Sequence, residues 1–486
     1  MSQNVYKTGH KQLFTQPMIE LPKLSPPQSK TSQQTLKWQA IQFDQHAGLA
    51  FYHPHLLNDF FSGQDVKITH DPWGDPAKLA SKQLNLRSFT QRSRLITPAL
   101  EAIQRHKPSE FFERWLPWTE AALKKVYTED RSGRAYENGE SRDQLYDCLR
   151  RASLMIVGRT ICSMFKGELL DVIESSLEGL DTAYARVAFA GARTKFGLLQ
   201  SPDVKQAAQC LKQLEATIRP LIRDQIGGGE QRDDLLTRWV HTKGEDGRSL
   251  KEDQVINEVV SFLVMAYTSL PKILFGAVTS INLSTQKEFL EELSKETNNA
   301  VKLITSISTL GEGTPPPLTP HNESALKTIP LHNAVVLESL RLYPPNWLSQ
   351  YKITEGLMPL GPVTDDEDQG PVASVGDLIW LSPWGSHNHS EYFSQPERFW
   401  PQRWAGNLEN QLPPYCFAPF GYQGKPSLSE VYCSELAARF LMMWFARYTT
   451  VNLPESISWE FSTCLRPITP VRWLHKRDYS KQQSAS

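Results

Sequence analysis

The chain has 486 residues, with 52 basic and 53 acidic side chains and a net charge of −1. That balance excludes an overall field drawing the protein to nucleic acid or an anionic membrane, so any charged docking patch is local. Six cysteines (Cys148, Cys162, Cys210, Cys416, Cys433, Cys464) lie far apart with no C-x-x-C pair, which fits a reducing compartment better than a disulfide framework and speaks against structural zinc.

The first residues, MSQNVYKTGHKQLFTQP, are polar and hold no apolar stretch of signal-peptide or membrane-spanning length, so a cytoplasmic protein without a membrane span is expected. Residues 1–36, rich in Pro, Ser, Gln and Lys, read as a flexible arm. From 37 to 486 a single large domain is expected. Helical periodicity dominates its first two-thirds, in Pro98–Arg105, Glu110–Tyr127, Asp143–Phe165, Val204–Ile226 and Asp253–Leu283. Pro271 should kink the last of these. The prolines of Gly311–Pro320 force a loop before a helix at Leu331–Leu342. Strand-like runs follow at Gln350–Thr354 and Asp377–Leu381, then an irregular segment rich in Trp, Pro and His, and a last helix over Leu428–Tyr448. The fold class is mainly α with small β-sheets.

Within LHNAVVLESLRLYPPNW, Glu338 and Arg341 are three apart on a helix and share a face. Alone, such a pair is usually a solvated one. Here RLYPP follows, then PERFWPQRW with Arg403, then FAPFG and the final helix. This order resembles the cytochrome P450 family, whose E-x-x-R helix and P-E-x-F-x-P-x-R-W segment form a buried Glu–Arg–Arg cluster on the proximal side of a haem pocket. The resemblance runs over roughly residues 40–475. It implies the cytochrome P450 fold, haem as cofactor, and Glu338, Arg341 and Arg403 as the structural cluster.

Further positions follow from the resemblance. His387, in LSPWGSHNHSEYF, falls where the family often has a histidine ahead of its meander, and is a cofactor-binding candidate. His387 and His389 as a metal pair is a weak signal, being two apart in a loop. In FTQRSRLITPAL, Phe89 and Ser93 occupy the tryptophan and arginine positions of W-x-x-x-R, leaving Arg92 and Arg94 as neighbours for a haem propionate. The family's loop F-x-x-G-x-R-x-C-x-G aligns without a gap from Phe420, giving Lys425 at the arginine, Ser427 at the iron-binding cysteine and Ser429 at the glycine. Cys433 is the alternative ligand, but six residues further along a helix is about 9 Å of rise and about 240° of rotation.

A thiolate pushes electron density through iron and favours O–O cleavage; a serine oxygen pushes less. In VVSFLVMAYTSLPKILFGAV, which resembles the distal A-G-x-[DE]-T-T helix, Ala266 replaces the glycine, Thr268 the acid and Ser269 the threonine. Thr268 and Ser269 are the candidate catalytic residues, or hydroxyls bonded to their own helix. Two functions follow. One is a soluble haem monooxygenase acting on an apolar small molecule, with electrons from a separate redox partner because no flavin or nicotinamide segment is recognisable. Lys425 and Arg439 would help to dock an acidic carrier. The other is a protein of this fold that uses its pocket for a non-oxidative reaction or for binding without haem.

Overall fold

The computed structural model describes residues 38–70 in short runs, 106–129, 134–135, 144–189, 202–243, 247–283, 287–308, 329–346, 349–359, 372–406, 408–421, 428–451 and, again in short runs, 453–476. The arm at 1–36, the helix expected over Pro98–Arg105 and the loop at Gly311–Pro320 lie outside them.

The described residues begin with strands. β1 (Trp38–Phe43) and β2 (His46–Phe51) form an antiparallel hairpin, followed by β3 (Lys67–His70). Nine helices come next among the described residues: α1 (Phe112–Thr128), α2 (Leu145–Ile161), α3 (Glu168–Phe189), α4 (Pro202–Ile226), α5 (Leu235–His241), α6 (Glu252–Thr268), α7 (Leu270–Leu283), α8 (Lys287–Ser308) and α9 (Pro330–Leu342). The expected strands appear as β4 (Ser349–Glu355) and β7 (Leu378–Leu381), with a two-residue ladder between them of β5 (Met358–Pro359) and β6 (Val372–Ala373). A short α10 (Pro383–His387) leads into turns, then α11 (Leu428–Arg447), β8 (Tyr448–Val451), β9 (Trp459–Phe461), β10 (Leu465–Pro467) and β11 (Arg472–His475).

The main sheet has the order β1-β2-β7-β4-β3, antiparallel except where β2 runs parallel to β7, with Phe51 facing Leu381. A parallel pair needs a long crossover, and here almost the whole helical core forms it. In that core α6 packs on α2, α1 on α2 and α11, and α9 on α7 and α11. Trp115, Trp239 and Trp444 are fully enclosed. The described residues form a mainly helical fold with small sheets, the class the sequence resemblance implies.

The helix expected over Asp253–Leu283 is broken at Ser269, where α6 ends and α7 begins. Pro271 has no N–H for the carbonyl four residues back, so the ladder fails just ahead of it. The rod Glu252–Ile281 is long and apolar enough to cross a membrane by length and composition, but 89% of its most apolar window is buried within the protein. It is a core helix, carrying apolar residues on every side because protein surrounds it.

Candidate functional site

The best-defined polar assembly is built on α9. Glu338 and Arg341 are both fully enclosed, and helical spacing sets the guanidinium beside the carboxylate: Arg341 Nε donates to Glu338 Oε2 at 3.0 Å and Nη2 to Oε1 at 2.8 Å. Arg403 Nε donates to Oε1 at 3.1 Å, the Trp400 N–H to Oε1 at 2.8 Å and Trp404 Nε1 to Oε2 at 2.9 Å. The remaining donors of the two arginines go to backbone carbonyls of His387, Ser394, Gln395 and Arg398. A buried ion cluster with its hydrogen-bonding capacity so fully used fixes geometry above all. It pins the irregular segment 387–404 to α9.

His387 links this cluster to the candidate cofactor loop. Its Nε2 accepts the Ala418 N–H at 2.9 Å, so Nδ1 carries the proton and donates to the Arg341 carbonyl at 3.1 Å. Burial, aided by the Arg341 charge, pulls its pKa down to about 3 against the backbone hydrogen bond, and the ring stays neutral. With both nitrogens spent on backbone, His387 has none left for a cofactor or metal. It is a tie between segments, which corrects the cofactor-binding expectation. His389 is also buried, beside Tyr392 and Glu391, and no cluster of three metal-ligating side chains occurs among the described residues.

The stem of the loop is held from a second side. The Asn346 N–H donates to the Pro419 carbonyl at 3.1 Å, and the Gly421 N–H to that of Ala418 at 2.9 Å. Gly421 has φ +101°, a backbone state that side chains resist. Phe420 is half-buried at this turn. Lys425 and Ser427 lie outside the described residues, as do Arg92 and Arg94.

On α11, Cys433 is enclosed, and burial pushes its thiol pKa well up, with the Glu430 charge adding to the effect. Such a thiol stays protonated and packs as a small apolar group. Tyr432 beside it lies 5.4 Å from Phe262 of α6 and 5.8 Å from Trp115 of α1, ring to ring. Arg439, expected as a surface docking residue, is buried. It donates to the Glu435 carboxylate and carbonyl, and its guanidinium stands 3.3 Å from the Phe112 ring centroid. Its aliphatic stem and planar head suit a packed site against an aromatic face.

Along α6, buried residues alternate with a less enclosed stripe of Asn257, Val264 and Thr268. Thr268 lies on it, its Oγ1 donating to the Val264 carbonyl at 2.8 Å. Ser269, one residue and about 100° further round, is buried at the helix end. The sequence alignment had given the hydroxyl role to Ser269, whereas the more accessible hydroxyl belongs to Thr268.

Where α6 and α11 meet, Phe262, Met265 and Ala266 on one helix and Tyr432, Leu436 and Ala437 on the other are buried and apolar or aromatic, a chemistry compatible with haem, and Val264 and Thr268 are the less enclosed residues of the last turns of α6.

A family model described as Cytochrome P450 matches residues 199–423. The chain is 25% identical over 234 residues to a cyclooctat-9-en-7-ol 5-monooxygenase of Streptomyces melanosporofaciens, covering 48% of this chain and 45% of that protein. It is 25% identical over 246 residues to a pentalenene oxygenase of Streptomyces avermitilis, covering 51% and 49%, and 26% identical over 189 residues to a beta-amyrin 6-beta-monooxygenase of Solanum lycopersicum, covering 39% and 34%. The chain spans about half the length, or less, of these relatives.

Proposed function

We propose that this chain, similar to the cytochrome P450 family model over residues 199–423, is a monooxygenase that would hold haem and act on an apolar small molecule, with Ser427 at the position of the family's iron-binding residue. The observation that carries this reading is the Glu338–Arg341–Arg403 cluster, joined through His387 to Ala418 at the stem of the axial loop. A site can be exact only if its supporting shell is locked, and here that shell is intact.

Haem, when bound, supplies dioxygen activation; the chain's own residues supply the rest. Phe420 and the Gly421 turn set the start of the loop that leads to Ser427. Lys425, Arg92 and Arg94 would help to hold haem when it is bound. Thr268 presents a hydroxyl on the less enclosed face of α6, and Ser269 holds the helix break. The names of the relatives, an alkenol and an alkene among them, support an apolar and at most singly hydroxylated substrate. Electrons come from a separate protein, and the chain works in the cytoplasm; among the described residues, the one helix long and apolar enough to cross a membrane is buried in the core.

The absorption spectrum of reduced, carbon monoxide-treated protein tests this. Unmodified chain should lack the strongly red-shifted band of a thiolate complex, and Ser427→Cys should gain it. A thiolate band in unmodified protein that disappears in Cys433→Ala would transfer the axial role to Cys433.

A second reading is favoured by the replacement of both the cysteine at 427 and the acid at 268, each of which weakens oxygen activation. In it the pocket serves a non-oxidative reaction or binding without haem. Colourless protein that takes up no added hemin supports that reading, and a saturating hemin titration ends it.

A further inference from the structure

One face of α7 carries Lys272, Gly276 and Ser280, spaced by four and therefore in line along the helix. All three are buried against the end of α9. Gly276 leaves room for Tyr343 and Ser339 where the two helices approach. On one side of it Ser280 Oγ and Tyr343 Oη share a hydrogen bond at 2.9 Å. On the other, Lys272 Nζ donates to the Pro344 carbonyl at 2.7 Å. Eight residues of helix rise about 12 Å, so a single face of α7 grips two consecutive residues from opposite directions.

Lysine is almost never fully enclosed, yet Lys272 has none of its surface exposed. Taking its amine out of water is costly unless new hydrogen bonds replace the old ones, and an apolar residue of similar length would fill the space without that cost. What distinguishes lysine here is its donors, and the Pro344 carbonyl takes one. The chain has left the helix at Tyr343, so no helical ladder serves that carbonyl. Pro344 and Pro345 are both buried. Each has φ fixed at about −65° and holds the residue before it out of the helical region, so together they form a short stiff rod. At its far end the Asn346 N–H donates to the Pro419 carbonyl at 3.1 Å, and Asn346 Nδ2 lies 3.5 Å from the Phe420 carbonyl.

We infer that Lys272 is a positioning residue for the loop that leads to Ser427: through the Pro344–Pro345 rod it sets where Asn346 stands, and Asn346 sets where Pro419 and Phe420 stand. Its consequence for a cofactor rests on the reading that puts Ser427 at the iron-binding position. The stem of that loop then has two separate holds on adjacent residues. His387 takes the Ala418 N–H and brings in the Glu338 cluster; Asn346 takes the Pro419 carbonyl and brings in α7. Lys272 directly follows Pro271, at the break between α6 and α7, so the break and the loop stem are fixed relative to one another. Lys272 acts by placement alone, and no covalent bond changes.

Native-state hydrogen exchange at the Asn346 amide, in the full chain without haem, tests this. Lys272→Met keeps the side-chain length and removes the donors, and that amide should exchange roughly tenfold faster. Ser339→Ala removes a different bond between the same helices, from Ser339 Oγ to the Ile273 carbonyl at 2.7 Å, and should leave the Asn346 amide as it was. Pro345→Gly leaves Lys272 in place but loosens the rod, and should speed exchange as Lys272→Met does. An Asn346 amide indifferent to Lys272→Met, or loosened equally by Ser339→Ala, overturns the inference. Should Lys272→Met fail to fold, Pro345→Gly decides on the same readout, and unchanged protection overturns it. In hemin-loaded protein Lys272→Met should also split the electron paramagnetic resonance signal of the ferric iron into more than one species; one unchanged signal counts against the inference. Unmodified protein that takes up no hemin would instead defeat the haem reading, and amide exchange still decides the role of Lys272.

Discussion

His387 and Ala418 are joined by a hydrogen bond in which a ring nitrogen, not a carbonyl, accepts the backbone N–H, at 2.9 Å. The bond exists only while the imidazole is neutral. Burial holds its pKa near 3, below the value near 6.5 that it regains on unfolding. The stability it contributes is complete above about pH 6.5 and is lost as pH falls towards 3, on the order of 4 kcal/mol over the whole interval. Urea denaturation at steps between pH 7 and 4 should show this slope, and His387→Gln should flatten it.

Glu258 behaves in the opposite sense. It is 4% exposed on α6, and burial raises its pKa to about 7. The folded protein therefore prefers the protonated acid. Its stability is complete below about pH 4.5 and declines as pH rises through 7, by on the order of 3 kcal/mol. Glu258→Gln should be more stable than the unmodified chain at pH 8 and nearly equal to it at pH 4.5 in thermal unfolding.

Glu338→Ala strands two arginine side chains in the core and should cost about 3–5 kcal/mol. Glu338→Gln retains one acceptor oxygen and should cost less. Denaturant titration of both variants, with hemin uptake read alongside, checks that the damage reaches the axial loop through His387.

A methyl group at Gly276 would meet Tyr343 Cδ2 at 2.3 Å and Ser339 Oγ at 2.9 Å, because α7 and α9 approach closely there. Gly276→Ala should destabilise by about 1–3 kcal/mol through overpacking. The Tyr343 ring is fixed by its hydroxyl contact with Ser280 Oγ at 2.9 Å, so it cannot swing aside at no cost. Adding Tyr343→Ala to Gly276→Ala should cost less than the two changes summed, in urea unfolding of the single and double variants.

The parts of this molecule legible in sequence are those whose partners are close along the chain. Glu338 and Arg341 declare themselves because three residues is one turn of helix, and the helices 112–128, 202–226 and 428–447 because their apolar periods are long. What stayed hidden depends on partners far away. Arg439 reads as a surface charge until Phe112 of another helix covers it. His387 reads as a cofactor contact until Arg341 and Ala418 occupy both nitrogens. Arg150 passes for the polar edge of an amphipathic helix, since nothing local announces the Tyr267 ring. The β1–β2 hairpin escaped because WQAIQF and HAGLAF are short and weakly alternating; their register comes from tertiary pairing.

That pairing has a consequence for biosynthesis. Phe51 emerges early from the ribosome, yet the edge it lies against, at Leu381, is made only after the helical body has been translated. At about 5–20 residues per second the nascent hairpin waits tens of seconds with one flank unprotected. During that interval holdase chaperones, or a neighbouring copy of the same hairpin, compete for it. Yield in a cell should therefore depend on how well this early segment is shielded, independently of how stable the finished protein becomes.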